Sequence, residues 1–302
     1  MRILALVAFV ILLSTAWPLW RLWRAMGHSA LRSTCVWAGL AAGCWTLVSG
    51  LAVLEPEPGT WVWLGFLKLF STTLLLTPIV AVLGARRPGE VAWNLIVLSS
   101  LVVFALPVLE QWLLGRPLES DRVGMDGPRL TFFAIVATVG ILNYLPTRFG
   151  FAAVLVGICL AAQMVAMGPW RVGSAATVFV LGSVAGLLAS ATIWLAFALR
   201  RREMPAGLDG AWRCLRDGWG LVWATRLRDR WNAAAEHNGW NMRLRWSGFA
   251  RFNQNEAPTA EEMAIATEQF ALLLRRFVDP ETWVQGSGFR VQNGRTSKDD
   301  AV

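Results

Sequence analysis

The last apolar run of the chain, residues 177–199, ends on three consecutive arginines, Arg200, Arg201 and Arg202. About 20 consecutive apolar residues are enough for a helix to cross a bilayer, and arginines directly after such a run mark its cytoplasmic face. This junction predicts a membrane bundle before it and a water-facing tail after it. The charged fraction of 16%, against a hydrophobic fraction of 55%, is also typical of a membrane protein.

Seven apolar segments are candidates for membrane spans. They cover residues 1–20, 31–54, 61–83, 91–114, 130–145, 149–167 and 172–199. We therefore predict an all-α polytopic membrane protein of about seven transmembrane helices with a small C-terminal α+β cytosolic domain. Pro78 and Pro107 fall inside the third and fourth segments, where proline removes a helical hydrogen bond and is expected to kink the helix.

The placement of arginines predicts the orientation. If the N-terminus lies outside, nine arginines fall on the cytoplasmic side and five on the outer side. Cytoplasmic loops carry the excess of basic residues, so we expect an outside N-terminus and a cytoplasmic C-terminus in a bacterial cytoplasmic (inner) membrane. Residues 1–16 are compatible with a cleaved signal peptide or with a retained helix followed by an interfacial tryptophan belt, and both place the next loop in the cytoplasm.

The tail begins with an amphipathic pattern over residues 209–235. Tryptophans recur on one face at helical spacing, with arginines on the other. Such a face suits a helix that lies in the membrane surface, and it equally suits a helix packed against the strand that follows. The tryptophans in question are Trp212, Trp219, Trp223 and Trp231.

Further along the tail, residues 242–246 alternate between apolar and polar side chains, as in a half-buried strand. Thr259 with Glu262 forms a capping-box pattern and predicts a helix to about residue 278. The predicted organisation is a bundle at 1–202, a helix-strand-helix domain close to the membrane at 203–286 and a polar, disordered tail at 287–302.

Three polar side chains inside the predicted spans are candidates for an intramembrane site: Lys68, Glu110 and Gln163. Charge inside a bilayer is costly and often functional, and all three fall in the outer half of their helices. The alternative is that Lys68 and Glu110 simply reach headgroup water at the ends of their side chains.

Another set of residues is expected to pack helices together. Small residues at a spacing of four let helix backbones approach, and amides tie helices by hydrogen bonds. The set consists of Gly39, Gly43, Gly182, Gly186, Ser190, Asn94 and Asn143.

The sequence contains no catalytic constellation, no metal-spaced ligands and no phosphate-binding loop. We expect no cofactor and no nucleic-acid partner, because the excess of 28 basic over 20 acidic residues is explained by topology. A lipid-acting enzyme using Glu119, Asp121 and Asp126 is a weaker alternative, since these carboxylates share their loop with three arginines.

Two functional hypotheses follow. The first is a non-enzymatic scaffold, assembly or signal-relay component whose cytosolic tail binds a protein partner, because a tail of this size is small for an independent core. The second is a small-solute or proton-coupled transporter that uses Lys68, Glu110 and Gln163. Either protein would contact the lipid bilayer, and either is compatible with an oligomer.

Overall fold

The structure is a computed structural model that describes residues 2–26, 29–55, 62–85, 90–113, 125–168, 175–200, 207–251 and 259–277. Within these ranges the chain forms helices and one small antiparallel sheet. The elements are α1 (Arg2–Ser14), α2 (Ala16–Ala25), α3 (Leu31–Leu54), α4 (Val62–Leu74), α5 (Thr77–Leu83), α6 (Glu90–Leu113), α7 (Gly127–Tyr144), α8 (Gly150–Met167), α9 (Ala175–Arg200), α10 (Gly207–His237), β1 (Met242–Leu244), β2 (Phe249–Arg251) and α11 (Ala260–Leu274).

Five helical stretches of the described chain are long and apolar enough to cross a membrane. They are Arg2–Ala25, Leu31–Leu54, Trp63–Leu83, Gly150–Met167 and Val180–Arg200. Outward-facing side chains such as Ile3 and Phe151 are 79% and 69% exposed, as lipid-facing residues of a membrane protein are. The protein is therefore an all-α, multi-pass membrane protein. The two remaining predicted spans correspond to α6 and α7, and the count of seven stays a prediction.

The third span is broken where Pro78 predicts. Pro78 stands at the first turn of α5, and α4 ends at Leu74. At the break, the backbone N–H groups of Leu75 and Leu76 donate to the carbonyl oxygens three residues earlier, at 3.1 Å each. By contrast, α6 runs continuously through position 107.

Two compact units divide the chain. The first, which we name the helical unit, contains the described residues of 1–203 together with Leu215–Arg226. Its core joins helices far apart in sequence: Leu69, Phe104, Phe133 and Leu160 belong to one buried cluster. Ala5 of α1 is buried in a second cluster with Val48, Ala52 and Leu64, so the first helix is part of this core.

The second unit, the hairpin unit, contains the described residues of 204–214 and 227–302. Its hairpin pairs Met242 with Arg251 and Leu244 with Phe249. The predicted strand alternation is confirmed at Met242 and Leu244, which are 2% and 1% exposed. The predicted capping box is also confirmed, because Thr259 and Glu262 exchange both hydrogen bonds at the start of α11.

The predicted boundary at residue 202 places all of α10 in the tail, but one segment of α10 belongs to the helical unit. Leu215–Arg226 is the middle of α10, yet it belongs to the helical unit. The physical reason is a set of hydrogen bonds to the ends of α5 and α7, which are described below.

Candidate functional site

Five polar side chains of the helical unit line a small cavity of about 30 Å³. Helices α1, α3, α4, α8 and α9 all contribute to its wall. The polar part of the lining consists of Trp45, Ser49, Lys68, Gln163 and Ser183. Two of the three predicted site residues, Lys68 and Gln163, therefore line one cavity.

The amide oxygen of Gln163 lies next to a hydroxyl group, on the side opposite the amide nitrogen. Its side chain is 1% exposed, and the hydroxyl of Thr72 lies 3.2 Å from Oε1. The same hydroxyl lies 2.9 Å from the carbonyl oxygen of Lys68, one turn back on α4. Among the described residues, the Nε2 group of Gln163 has no hydrogen-bond partner.

Trp45 presents a second donor of the same kind. Its indole is 3% exposed, and no described residue accepts a hydrogen bond from Nε1. An unpaired buried donor costs about 1–3 kcal/mol, so two of them on one cavity wall are unusual in a packed core.

The charged side chains near the cavity are those of Lys68, Glu55 and Arg2. The Glu55 carboxylate is 3% exposed and interacts electrostatically with Lys68. The guanidinium of Arg2 donates to the carbonyl oxygen of Glu55 at 3.5 Å. Among the described residues, these two interactions connect Lys68, Glu55 and Arg2.

Glu110, the third predicted site residue, lies in α6, and its side chain is outside the described part of the chain. Residues 119 and 121 of the acidic loop are also outside it. Asp126 is described as the N-cap of α7, where it accepts from the Arg129 backbone at 3.2 Å and pairs with its guanidinium at 3.0 Å. No group of three or more His, Cys, Asp or Glu side chains suited to a metal ion occurs among the described residues.

A second arrangement lies in the part of α10 that belongs to the helical unit. The helix is interrupted at Gly220, where φ is +78°. Asn143, at the end of α7, spans this interruption. Its Nδ2 donates to the carbonyl oxygen of Trp219 at 3.2 Å, and its Oδ1 accepts from the backbone N–H of Val222 at 2.9 Å. We name this pair of bonds the Asn143 bracket.

The Asn143 bracket supplies hydrogen bonds to backbone groups that have no helical partner at the interruption of α10. A break leaves a carbonyl on one side and an N–H on the other without helical partners, and one amide side chain satisfies both. Tyr144 adds a hydrogen bond from its hydroxyl to the carbonyl oxygen of Gly218 at 2.9 Å. The end of α7 therefore holds α10 at three backbone positions.

Two indoles of the same segment satisfy the end of α5. Trp219 donates from Nε1 to the carbonyl oxygen of Ala85 at 2.8 Å. Trp223 lies with its Nε1 at 3.3 and 3.2 Å from the carbonyl oxygens of Val82 and Leu83. The last carbonyls of a helix have no partner within it, so these indoles act as its cap.

A buried carboxylate completes the segment. Asp217, with 2% of its side chain exposed, lies 2.9 Å from Nε of Arg216 and 3.4 Å from Nε of Arg148. Arg148 belongs to the short connection between α7 and α8. A buried carboxylate is tolerated only with such partners, so this group ties the connection to α10.

The four tail tryptophans are buried in protein, at 0% for Trp212, 3% for Trp219, 7% for Trp223 and 1% for Trp231. Trp219 and Trp223 belong to the helical unit. Trp212 and Trp231 belong to the hairpin unit, where they pack edge-to-face against Phe270 at 6.5 and 6.1 Å. Burial of all four indoles favours packing over a helix lying in the membrane surface.

The predicted packing residues have different surroundings. Asn94 joins α6 to α3, because it accepts from Ser33 at 2.6 Å and Trp37 at 3.1 Å. A Cβ at Gly186 would lie 3.2 Å from Leu12, whereas a Cβ at Gly39, Gly43 or Gly182 would meet no described atom within 4 Å. Ser190 donates to the carbonyl oxygen of Gly186 at 2.9 Å.

Neither the presence of Trp45, Ser49 and Ser183 at the cavity nor the interruption at Gly220 was predicted from the sequence. The available signal for the interruption was a pair of glycines, Gly218 and Gly220, inside an otherwise regular amphipathic pattern. A tryptophan or serine in an apolar span carries no comparable signal.

No protein-family model, no curated protein and no solved structure matches this chain.

Proposed function

We propose that the protein is a non-enzymatic signal-relay component of the membrane, whose C-terminal tail binds a protein partner. The observation that carries this proposal is the Asn143 bracket on the interruption of α10. It gives one helix of the tail a direct hydrogen-bonded attachment to the end of a membrane helix.

The relay follows from how α10 is shared. Residues 215–226 belong to the helical unit, and the flanking residues 207–214 and 227–237 of the same helix belong to the hairpin unit. A shift at the end of α7 changes the bracket, and a change in the bracket alters the helix that continues into the hairpin unit. We propose that the bracket is either formed or broken, since a relay element requires two discrete arrangements.

The partner-binding surface that we propose is a polar, open groove of about 560 Å³ in the hairpin unit. Arg243 and Arg245 line it from the hairpin and are exposed, and Glu236 lines it from α10. Exposed arginines at a groove are frequent contact residues in interfaces, so we propose a partner with acidic side chains.

Seven spans with an outside N-terminus form part of the proposal. Segment Leu215–Arg226 bonds to the end of α5 and the end of α7, which a seven-span topology places together on the cytoplasmic side. At the other side, the N–H of Met125 bonds to the carbonyl oxygen of Met167 at 2.8 Å, and Arg2 bonds to Glu55. Both contacts support the same alternation of helix ends between the cytoplasmic side and the outer side. A bacterial inner membrane is the proposed location.

Reporter fusions test this topology. Fusions at positions 58, 122 and 205 should report outside, outside and cytoplasm. A cytoplasmic signal at 122 would overturn the assignment of α6 and α7 as spans.

The function itself is tested by native mass spectrometry of the full-length protein, purified in mild detergent from its own membrane. We expect a stoichiometric acidic protein partner with the wild type. Asn143→Leu removes the bracket while it keeps the number and branching of the side-chain heavy atoms, and it should reduce partner occupancy several-fold, as should Arg245→Glu in the groove. Asn94→Leu is the matched control, since it removes the amide that joins α6 to α3 and leaves α10 untouched.

A wild-type protein that carries no partner would refute the proposal. Equal occupancy in Asn143→Leu and wild type would refute the relay and leave a scaffold whose tail acts independently of the membrane helices.

A second candidate function is small-solute or proton-coupled transport, favoured by the observation that Lys68 and Gln163 line one cavity. Uptake into proteoliposomes should be lost in Gln163→Leu and in Lys68→Met. Undiminished uptake in both variants would exclude transport through this cavity.

A further inference from the structure

Four arginines stand at one end of three neighbouring helices, and we propose that they bind the headgroup of an anionic phospholipid. They are Arg21 and Arg24 of α2, Arg32 of α3 and Arg200 of α9, and we name them the arginine cluster. The inference goes beyond the proposed relay, because it concerns a lipid and residues outside both the Asn143 bracket and the groove of the hairpin unit.

Contacts between the three helices bring these ends together. Trp17 of α2 stacks on Trp194 of α9, with ring centroids 5.9 Å apart. The thiol of Cys35 on α3 lies 3.7 Å from the carbonyl oxygen of Leu19 on α2. Arg200 interacts electrostatically with the same thiol. The arginine cluster therefore occupies a single end of the helical unit.

The cluster lies at the depth of the lipid headgroups. Arg24, Arg32 and Arg200 stand within two residues of the end of a candidate membrane span, and Arg21 stands one turn further in. Trp20, between the two arginines of α2, is 45% exposed, as tryptophans at a membrane interface are. The ends of membrane spans meet the headgroup region, where lipid phosphates are the nearest anions.

Tryptophans hold three of the guanidinium groups. The Cζ atom of Arg24 lies 4.0 Å from the ring centroid of Trp20, and that of Arg32 lies 4.5 Å from the ring centroid of Trp23. Arg21 lies over the indole one turn before it, at 5.6 Å. The donors of a guanidinium lie in its plane, so a contact through its face leaves them available for phosphate oxygens. Side chains that are already held also lose less freedom on binding.

No carboxylate pairs with the arginine cluster within the part of the chain that the structure describes. None of the four guanidinium groups forms a salt bridge or donates a hydrogen bond there. Arg24 and Arg200 stand in the last turn of their helices, where the helix dipole favours a cation. Arg32 stands in the first turn of α3, where the dipole opposes a cation. The dipole therefore does not account for the whole cluster, whereas a shared anion does.

The apolar surroundings favour a phospholipid over a soluble anion or an acidic protein. Leu13, Val36 and Trp194 precede or follow the arginines by one to two turns on the same spans, and they are 55%, 47% and 38% exposed. These side chains face the hydrocarbon region if the arginines face the headgroups. One phospholipid can contact both surfaces, with its phosphate on the arginines and its acyl chains on the apolar side chains.

The test is native mass spectrometry of the purified, delipidated full-length protein in a neutral detergent. Phosphatidylglycerol and phosphatidylcholine with identical acyl chains are added at increasing concentrations, and the fraction of lipid-bound protein gives each affinity. An arginine near an anionic headgroup contributes roughly fivefold, so the three stacked arginines predict a preference of about a hundredfold for phosphatidylglycerol. Inorganic phosphate at the same concentrations should not displace the lipid, because it has no acyl chains.

The double variant Arg21→Gln/Arg24→Gln should reduce this preference to about fivefold, on the same value per arginine. The matched control is Arg226→Gln/Arg230→Gln, which removes the same charge from exposed positions of α10 and should retain the wild-type preference. Trp20→Leu keeps every charge but removes the ring under Arg24, and it should weaken phosphatidylglycerol binding about threefold. Thermal unfolding of each variant verifies that it is folded.

Equal affinity of the wild type for the two lipids would overturn the proposal. An equal loss of preference in the control variant would overturn it as well, because net charge rather than a site would then explain the binding. A poly-glutamate peptide that binds the wild type and not Arg21→Gln/Arg24→Gln, without any preference between the lipids, would assign the cluster to an acidic protein instead. None of these outcomes affects the relay, which depends on α7 and α10.

Discussion

The amide group of Asn143 occupies the position that a Cβ at Gly220 would need. Gly220 has a φ of +78°, in the left-handed region that favours glycine. Two requirements therefore meet at one position: the backbone conformation of the interruption and the space for the side chain that bonds across it.

Gly220→Ala should lower the free energy of unfolding of the helical unit by more than the cost of the backbone strain alone. The strain alone costs about 1–2 kcal/mol, and displacement of Asn143 adds the loss of two hydrogen bonds. Gly239→Ala is the control, because Gly239 has a φ of +66° but no described atom within 4 Å of the new Cβ. Thermal unfolding in detergent should show the larger decrease for Gly220→Ala. Equal decreases would mean that Asn143 adapts without cost.

Asp217→Asn should destabilise the protein by about 1–3 kcal/mol, because it removes a buried carboxylate that pairs with Arg216 and Arg148, whose side chains are 13% and 23% exposed. The control is Asp229→Asn, which changes a similar Arg-Asp pair at the surface, where Asp229 has 66% of its side chain exposed. An exposed pair contributes about 0–1 kcal/mol. Urea unfolding followed by tryptophan fluorescence measures both. A small effect of Asp217→Asn would mean that water reaches this group.

Asn232→Ala should loosen the hairpin from α10. The Asn232 side chain accepts from the N–H of Leu244 at 2.8 Å and donates to its carbonyl oxygen at 3.1 Å. Loss of both bonds leaves a buried N–H and C=O, at about 1–3 kcal/mol each. Asn238→Ala, which removes an exposed bond within α10, is the control. Hydrogen exchange of residues 242–251 should accelerate only in Asn232→Ala, and protection equal to the wild type would contradict the assignment.

Glu262 predicts a pH dependence for the hairpin unit. The backbone N–H of Thr259 donates to its carboxylate at 2.8 Å and, with help from Arg251, lowers its pKa below the usual 4.5. A carboxylate whose folded pKa is lowered stabilises the fold above its unfolded pKa. That stabilisation is lost as the pH falls through the lowered folded pKa.

The stability of the wild type should therefore decrease between neutral pH and a pH below 4.5, measured at the start of α11 by hydrogen exchange. In Glu262→Gln this part of the pH dependence should be absent, with lower stability at neutral pH. An unchanged profile in the variant would contradict the role of Glu262.

Local patterns predicted the elements that depend on local chemistry. The apolar runs, the break before Pro78, the alternation at Met242 and Leu244 and the capping box at Thr259 each follow from neighbours within a few residues. All of these features were predicted from the sequence, and the structure contains them.

The bracket was not predictable by such patterns. Asn143 and Val222 are 79 positions apart, and nothing near either residue indicates the other. In the sequence, the tryptophans of α10 recur at one continuous helical spacing, which predicts a single face. The face is divided between two units, because Trp219 and Trp223 cap α5 whereas Trp212 and Trp231 belong to the hairpin unit.

Two of the residues at the cavity were candidates from the sequence. Charge and amide groups in apolar spans identified Lys68 and Gln163, and the structure brings both to one wall. Trp45 was not identified, because tryptophan is ordinary in a membrane helix and only its unpaired nitrogen distinguishes it.

The end of α7 holds the middle of α10 through the Asn143 bracket. Hydrogen exchange of residues 215–226 tests it directly, in the full-length protein in detergent, for wild type, Asn143→Leu and the control Asn94→Leu. Loss of the bracket should accelerate exchange of this segment about tenfold or more, since a tenfold change corresponds to only about 1.4 kcal/mol. Asn94→Leu should leave it as slow as in the wild type. Equal exchange in all three proteins would contradict the claim.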